Sequence, residues 1–222
     1  MGIEIGAVMI PWYGLFIVLG IAAGAVLGYF LICANRMDYD DFIQTACFVG
    51  LGAMAGAKLL YLIVSWRSID FSRITDPEYL NALMGGGFVF YGGLIGGLTG
   101  LYLCGKILHI PVTDYARAAI PVIPLVHAFG RIGCAFAGCC YGVPYDGPGA
   151  VVYTESIAAP TGVPLFPVQA VEAAGNLLIT DVLCIYGEIC RRKGRKAKSL
   201  QLYLVLYAVF RIALEFARYD DS

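Results

Sequence analysis

Long apolar stretches separated by short polar connections run along the whole chain. The first covers residues 5–34 without a charged side chain, and a helix needs only about 20 apolar residues to cross a bilayer core. With five further stretches, the pattern predicts six membrane-spanning helices. The later five cover residues 42–66, 86–110, 115–136, 167–190 and 200–218. Because residues 14–20 are continuously apolar rather than alternating, the pattern excludes a membrane β-barrel.

The connections between these stretches are too short to form a second domain. We therefore expect an all-α, polytopic membrane helix bundle that forms one domain over residues 1–222. Glycines recur at four-residue spacing, as at Gly92, Gly96 and Gly100, which predicts close helix packing in lipid. The longest connection, residues 137–167, is rich in proline and glycine, and we expect an irregular loop over the outer face.

Composition supports this class of protein and excludes others. Hydrophobic residues make up 59% of the 222 residues and charged residues 14%, against about 45–50% and about 25% in soluble domains. Mean hydropathy is +0.76, which excludes a disordered chain. The formal net charge of −1 provides no basic field for nucleic acid. We therefore expect an integral membrane protein.

The basic residues predict the orientation of the bundle. Six of the fifteen Lys and Arg residues lie within residues 191–198, and basic loops stay on the cytoplasmic side. Counting helices from this loop places the N-terminus outside and the 106–117 connection inside. It also places residues 139–166, which lack Lys and Arg, outside. The basic run is interpreted as a solvated turn, with a lipid-headgroup contact as the alternative.

A few charged side chains lie inside apolar stretches, where each costs roughly 2.5–3.5 kcal/mol. Arg131 follows His127 by one helical turn, and Tyr207, Arg211 and Glu215 share one face of the last helix. Two guanidinium groups that converge on one cavity would bind a phosphate through bidentate hydrogen bonds. The residues therefore indicate a phospholipid-binding cavity, with an ion pair that only joins helices as the alternative for Arg211 and Glu215.

Among eight cysteines, Cys134, Cys139 and Cys140 form the only cluster along the sequence. Their spacing does not match the paired C-x2-C patterns of zinc sites, so we predict no metal and no cofactor. A membrane thiol–disulfide protein that uses these three residues is one alternative function. A transporter is disfavoured because the two halves of the sequence show no internal repeat.

Several short motifs occur in a fixed order along almost the whole chain. They are Pro11-Trp12-Tyr13-Gly14, residues 87–96 with Tyr91, Gly92 and Gly93, Gly130-Arg131-Ile132-Gly133 with Gly142, Pro167-x-Gln169-x2-Glu172, and Tyr207-x3-Arg211-x3-Glu215 with Arg218. In this order and membrane placement, the motifs resemble the bacterial prolipoprotein diacylglyceryl transferase family.

The resemblance implies transfer of the diacylglyceryl group of phosphatidylglycerol to the lipobox cysteine of prolipoproteins in the bacterial plasma membrane. A thioether forms and glycerol phosphate leaves. Arg131 and Arg211 are implied to stabilise the phosphate. Either Tyr91 or His127 would accept the thiol proton, or the cationic cavity itself would lower the pKa of the incoming thiol. The implied substrate-binding residues are Tyr13, Gly92, Gly93, Gly130, Gly133, Gly142, Gln169, Glu172, Tyr207, Glu215 and Arg218.

The chain also departs from the family pattern. Cys134, Ala137 and Cys139 stand where the family motif has two asparagines and a glutamate, and Tyr91 stands where many members have histidine. The chain ends soon after Arg218, where typical members continue into one more helix. A related lipid transferase with a different acceptor is therefore a second alternative.

Overall fold

A computed structural model describes residues 2–5, 8–73 and 75–218, and helices dominate these residues. Eight α-helices lie in the described part of the chain: α1 (Trp12–Ala34), α2 (Tyr39–Val64), α3 (Pro77–Gly85), α4 (Phe90–Leu108), α5 (Val112–Ala119), α6 (Val122–Ala137), α7 (Val168–Arg192) and α8 (Ser199–Glu215). Two short 3-10 helices, Trp66–Ser68 and Phe71–Arg73, precede α3. The predicted all-α membrane bundle is confirmed.

Each predicted apolar stretch contains a helix, but the helices differ in length. Within the described residues, three helices (α1, α2 and α7) are long and apolar enough to cross a membrane. The count rises to five if the bent pairs α3–α4 and α5–α6 each form one span. The last stretch forms α8, which has 17 residues and is shorter than these helices.

The first predicted helix begins after a short hairpin. Strand β1 (Gly2–Ile5) pairs antiparallel with strand β2 (Val8–Pro11), and α1 starts directly afterwards at Trp12. The helix therefore begins inside the predicted apolar stretch of residues 5–34, at the Pro11-Trp12-Tyr13-Gly14 motif, and not at the start of the stretch. Proline restricts the residue before it to extended conformations, and Pro11 itself is extended (φ −66°, ψ 138°), so the helix begins after it.

Residues 1–36 and 116–222 form one compact unit, in which α1 packs on α6, α6 on α7, and α7 on α8. Glycines allow α1 and α6 to approach closely. A Cβ atom on Gly20 would lie 2.8 Å from Phe129 Cβ, and one on Gly24 would lie 2.8 Å from Val126 Cγ2. Small residues at such contacts are the usual way for helices to associate in lipid.

Residues 37–115 form a second compact unit, built on the packing of α2 against α4. The predicted glycine row lies in this contact. A Cβ atom on Gly92 would collide with the carbonyl oxygen of Gly56, and one on Gly96 would collide with the carbonyl oxygen of Gly52. The two helix backbones therefore touch along this row.

Residues 138–167 are mostly irregular, as predicted, and contain the paired two-residue strands β3 (Val151–Val152) and β4 (Pro164–Leu165). The loop contacts the segment directly after α8, since Val143 N–H donates to Ala217 O at 3.2 Å and Gly142 forms a β-bridge with Arg218. A Cβ on Gly142 would lie 2.5 Å from Phe166 O and 3.0 Å from Ala217 O. The loop can approach this segment so closely because residue 142 has no side chain.

Candidate functional site

A buried carboxylate joins two helices at the centre of the first unit. Glu172 lies one turn into α7 and is 2% exposed. Its Oε1 atom lies 3.0 Å from Arg131 Nε and 3.7 Å from His127 Nε2, both on α6. A charge in an apolar interior needs a partner of opposite sign. Glu172 and Arg131 therefore fix each other, and His127 lies beside them.

Helix α8 and the residues directly after it bring two more cations, Arg211 and Arg218, near the same site. Arg211 Nη1 lies 2.6 Å from Glu215 Oε2, and the ring of Tyr207 lies 5.6 Å from the ring of His127. The hydroxyl of Tyr207 lies within electrostatic reach of Glu172 and of a set of arginines: Arg131, Arg211 and Arg218. Tyr207 thus lies within electrostatic reach of three guanidinium groups, one from α6, one from α8 and one from the segment that follows α8.

The three arginines of this cluster have N–H groups that lack hydrogen-bond partners among the described residues. Arg131 Nε, Arg211 Nη1 and Arg218 Nε are each shielded from solvent without a hydrogen bond of good geometry among the described residues. The first two face carboxylates at short distance but are misaligned with them. Buried N–H groups of this kind are rare unless a ligand or ordered water satisfies them. Among the described residues, three cations and two carboxylates (Glu172 and Glu215) leave one net positive charge, which suits a singly charged anion.

Gln169 connects the start of α7 to the loop after α6. It is 2% exposed, and its Nε2 donates to Cys139 O at 2.9 Å and to the hydroxyl of Tyr153 at 3.2 Å. Because Gln169 precedes Glu172 by three residues, one turn of α7 holds both the loop and Arg131. Gln169 and Glu172 thus contact protein groups here; their predicted contact with substrate stays a prediction.

The thiols beside this loop are poorly suited to thiol–disulfide exchange. Burial, together with the neighbouring thiols of Cys134 and Cys140, raises the pKa of Cys139 to about 12. Exchange requires a thiolate at neutral pH. The alternative of a membrane thiol–disulfide protein therefore loses support.

The other predicted site residues fall into two groups. Tyr13, 44% exposed on α1, lies within electrostatic reach of Arg131 and the three clustered cysteines. A Cβ on Gly133 would lie 3.3 Å from Tyr13 Cα, so this glycine allows α1 to approach α6, whereas a Cβ on Gly130 would meet open space. Tyr91, Gly92 and Gly93 lie at the start of α4 in the second unit.

Tyr91 is exposed at the start of α4, whereas Gly92 and Gly93 pack against α2. Tyr91 is 69% exposed and packs edge-on against the ring of Phe90 at 5.8 Å. Gly92 packs on the backbone of Gly56, and a Cβ on Gly93 would lie 3.5 Å from Ala57 Cβ. Both glycines therefore serve the contact between α2 and α4, and a substrate role for any of the three stays a prediction.

Asn176 is a site residue that sequence reasoning missed. It is fully buried, its Nδ2 donates to Glu172 O at 2.8 Å, and its Oδ1 has no hydrogen-bond partner among the described residues. Thr180 follows one turn later and donates to Asn176 O at 2.9 Å. The polar stripe of Gln169, Glu172, Asn176 and Thr180 at helical spacing would have been its signal.

Comparisons with known proteins agree with the sequence motifs. The family model described as prolipoprotein diacylglyceryl transferase matches residues 1–222. A phosphatidylglycerol–prolipoprotein diacylglyceryl transferase of Clostridium tetani is 37% identical over 98% of this chain and 84% of its own length. Proteins of this kind from Clostridium perfringens and Methylococcus capsulatus are each 32% identical, over 98% and 100% of this chain and 82% of their own lengths. The resemblance inferred from the motifs is confirmed.

The buried ion pair can be tested through stability. We expect Glu172→Gln to leave Arg131 without its counter-charge and to cost about 3 kcal/mol, or about 6–12 °C in Tm. Thermal unfolding in detergent measures the change. Glu188→Gln is the matched control, because the pairs of Glu188 with Arg191 and Arg192 lie at the surface; its Tm should stay that of the wild type. Equal midpoints for the two variants would contradict a buried charge at Glu172.

Proposed function

The chain belongs to the prolipoprotein diacylglyceryl transferase family, and from this we propose that it transfers the diacylglyceryl group of phosphatidylglycerol to a prolipoprotein cysteine. The thiol sulfur attacks the glycerol carbon that bears the phosphate. A carbon–sulfur bond forms, the carbon–oxygen bond to phosphate breaks, and the thiol proton passes to a base. The products are a thioether-linked lipoprotein and glycerol phosphate.

The observation that supports this reaction most strongly is the arginine cluster of Arg131, Arg211 and Arg218. The headgroup of phosphatidylglycerol contains one phosphodiester with a single negative charge, which matches the net charge of the cluster and its two carboxylates. The unsatisfied buried N–H groups of the arginines are suitable donors to its oxygens. We infer that the phosphate lies among these three side chains, with the hydroxyl of Tyr207 beside it.

The same cations favour the chemical step. A phosphodiester becomes a phosphate monoester as the carbon–oxygen bond breaks, so negative charge accumulates on the leaving group. Cations that are already in place lower the barrier because they bind this growing charge more strongly than the charge of the ground state. Glu172 and Glu215 hold Arg131 and Arg211 in position without neutralising the cluster. We propose Tyr13 as a further contact of the headgroup.

The surroundings of His127 favour this residue over Tyr91 as the proton acceptor. Neutral imidazole accepts a proton at physiological pH, whereas a phenol is a poor acceptor there. The carboxylate of Glu172, 3.7 Å from His127 Nε2, would offset part of the repulsion between an imidazolium and the guanidinium groups of Arg131 and Arg211. We therefore assign His127 as the base that takes the proton from the acceptor thiol.

We place the protein in the bacterial plasma membrane with its N-terminus outside and residues 191–198 in the cytoplasm. Helices α7 and α8 flank this run, which holds six Lys and Arg residues. Basic loops of this length determine orientation. The loop of residues 138–167 then lies outside, where a secreted prolipoprotein with a lipobox cysteine is accessible.

The transferase activity is tested with purified protein, phosphatidylglycerol and a lipobox peptide, by mass spectrometry of the peptide thiol. We expect a diacylglyceryl mass increase. Arg131→Ala and Arg211→Ala should each lower kcat by at least about 100-fold, as loss of one oxyanion donor does. Arg192→Ala, on an arginine whose side chain is 76% exposed, is the control and should react normally.

Two results would overturn parts of this proposal. If no product forms while the Clostridium tetani relative reacts in parallel, the prolipoprotein reaction is refuted and a different acceptor becomes the better hypothesis. If product forms and either alanine variant retains full activity, the reaction stands and the role of the arginines in binding phosphate is refuted.

The base is tested by comparing His127→Gln with Tyr91→Phe in the same assay. We expect His127→Gln to lower kcat by about 10²–10⁴-fold, the usual contribution of a general base. Tyr91→Phe should leave kcat nearly unchanged. A large loss in Tyr91→Phe with normal turnover in His127→Gln would transfer the role to Tyr91.

The orientation is tested with a membrane-impermeant maleimide on spheroplasts. Asp146→Cys, in the 138–167 loop, should add label in intact spheroplasts relative to the wild type. Lys193→Cys, directly after α7, should add label only after the membrane is permeabilised. The opposite pattern would invert the proposed topology.

A further inference from the structure

Three cysteines, one in the last turn of α6 and two directly after the helix, bring their sulfur atoms together. The sulfur atoms of Cys134, Cys139 and Cys140 all lie within 4.8 Å of one another. All three are free thiols. The sequence groups the three residues within positions 134–140, and their sulfur atoms meet because of how the chain turns after the helix.

The turn that ends α6 brings the side chains of Cys134 and Cys139 together. Gly138 ends α6 in the left-handed conformation (φ 66°) and donates to Ala135 O at 3.3 Å, and Cys139 N–H donates to Cys134 O at 3.2 Å. These bonds define a Schellman motif, in which the side chains at positions C3 and C″ contact each other. Those positions are Cys134 and Cys139. Cys140 is also left-handed (φ 53°) and completes the cluster.

The surrounding loop holds this turn in place. Gln169 donates to Cys139 O at 2.9 Å, and Ala159 N–H donates to Gly138 O at 2.9 Å. A Cβ on Gly138 would lie 2.5 Å from Ser156 Cβ, so the loop packs directly on the turn. The three sulfurs are therefore arranged in advance, before any ligand arrives.

We propose that Cys134, Cys139 and Cys140 form a zinc-binding site with three thiolate ligands. Zinc–sulfur bonds of about 2.3 Å in a tetrahedral site place sulfur atoms about 3.8 Å apart, and the three sulfur atoms here all lie within 4.8 Å of one another. Cys140 is exposed, which gives an ion a route of entry. Three protein ligands leave the fourth position open to water or to another thiol.

Charge favours a divalent ion over copper(I), the other metal ion that thiolates prefer. Three thiolates and Zn²⁺ carry a net charge of −1, whereas copper(I) would leave −2. The nearby cation is Arg131, which interacts with the Cys134 and Cys140 side chains and is already paired with Glu172. One remaining negative charge is therefore easier to accommodate than two.

The test is metal binding by the full-length protein in detergent, stripped with a chelator and kept reduced with a phosphine. Titration with Zn²⁺ against a chromophoric chelator should show one equivalent bound, and Co²⁺ should give sulfur-to-cobalt charge-transfer absorption. Cys134→Ser, Cys139→Ser and Cys140→Ser should each weaken binding by at least about 100-fold, since even outer partners of a metal site contribute 10–100-fold. Cys190→Ser, near the far end of α7, is the control and should bind normally.

A second readout distinguishes lost ligands from lost folding. Zn²⁺ should raise the unfolding midpoint of the wild type and of Cys190→Ser, and leave that of Cys139→Ser unchanged. Failure of the reduced wild type to bind one equivalent would overturn the proposal. So would zinc affinity in all three cluster variants equal to that of the wild type, or a disulfide between Cys134 and Cys139 in protein isolated without reductant. No transferase assay is involved, so the result is independent of the proposed activity.

Discussion

The Glu172 carboxylate is the group on which the rest of this site depends. A carboxylate that is 2% exposed between helices is tolerated only beside a cation, and Arg131 at 3.0 Å provides it. This pairing fixes α6 against α7 and brings His127 to the same oxygen. In the neighbouring turns of α7, Gln169 donates to the loop at Cys139 O, and Asn176 donates to the backbone carbonyl of Glu172. One buried charge on α7 thus holds two side chains of α6, Arg131 and His127, beside it.

Much of the architecture could be predicted, because membrane helices must be long and apolar and because charges inside them are costly. The same reasoning selected Arg131, Arg211 and Glu215, which lie where an apolar stretch is interrupted. The hairpin of β1 and β2 was missed because residues 5–11 are as apolar as the helix that follows, and only Pro11 marked the boundary. Hydropathy alone does not distinguish a strand from the first turns of a helix.

Contacts between residues on different helices were harder to predict than the helices themselves. Glu172 was recognised from its motif, but its pairing with Arg131 depends on how α6 and α7 pack, which spacing along the chain does not contain. The cysteine cluster was dismissed for a similar reason. Its sulfurs meet because Gly138 and Cys140 adopt left-handed conformations, and backbone angles of that kind cannot be inferred from the distance between cysteines in sequence.

Gln169 and Glu172 occupy one turn of α7, so the cysteine turn and the arginine cluster share a single rigid support. Any coupling between binding at these two places is reciprocal by thermodynamic necessity. If a ligand at the sulfur atoms moves this turn and thereby changes the affinity of the arginines for an anion, then the anion must change the affinity of the sulfur ligand by the same factor. The amide of Gln169 would then transmit the effect of the sulfur ligand to the anion site, and the effect of the anion to the sulfur site.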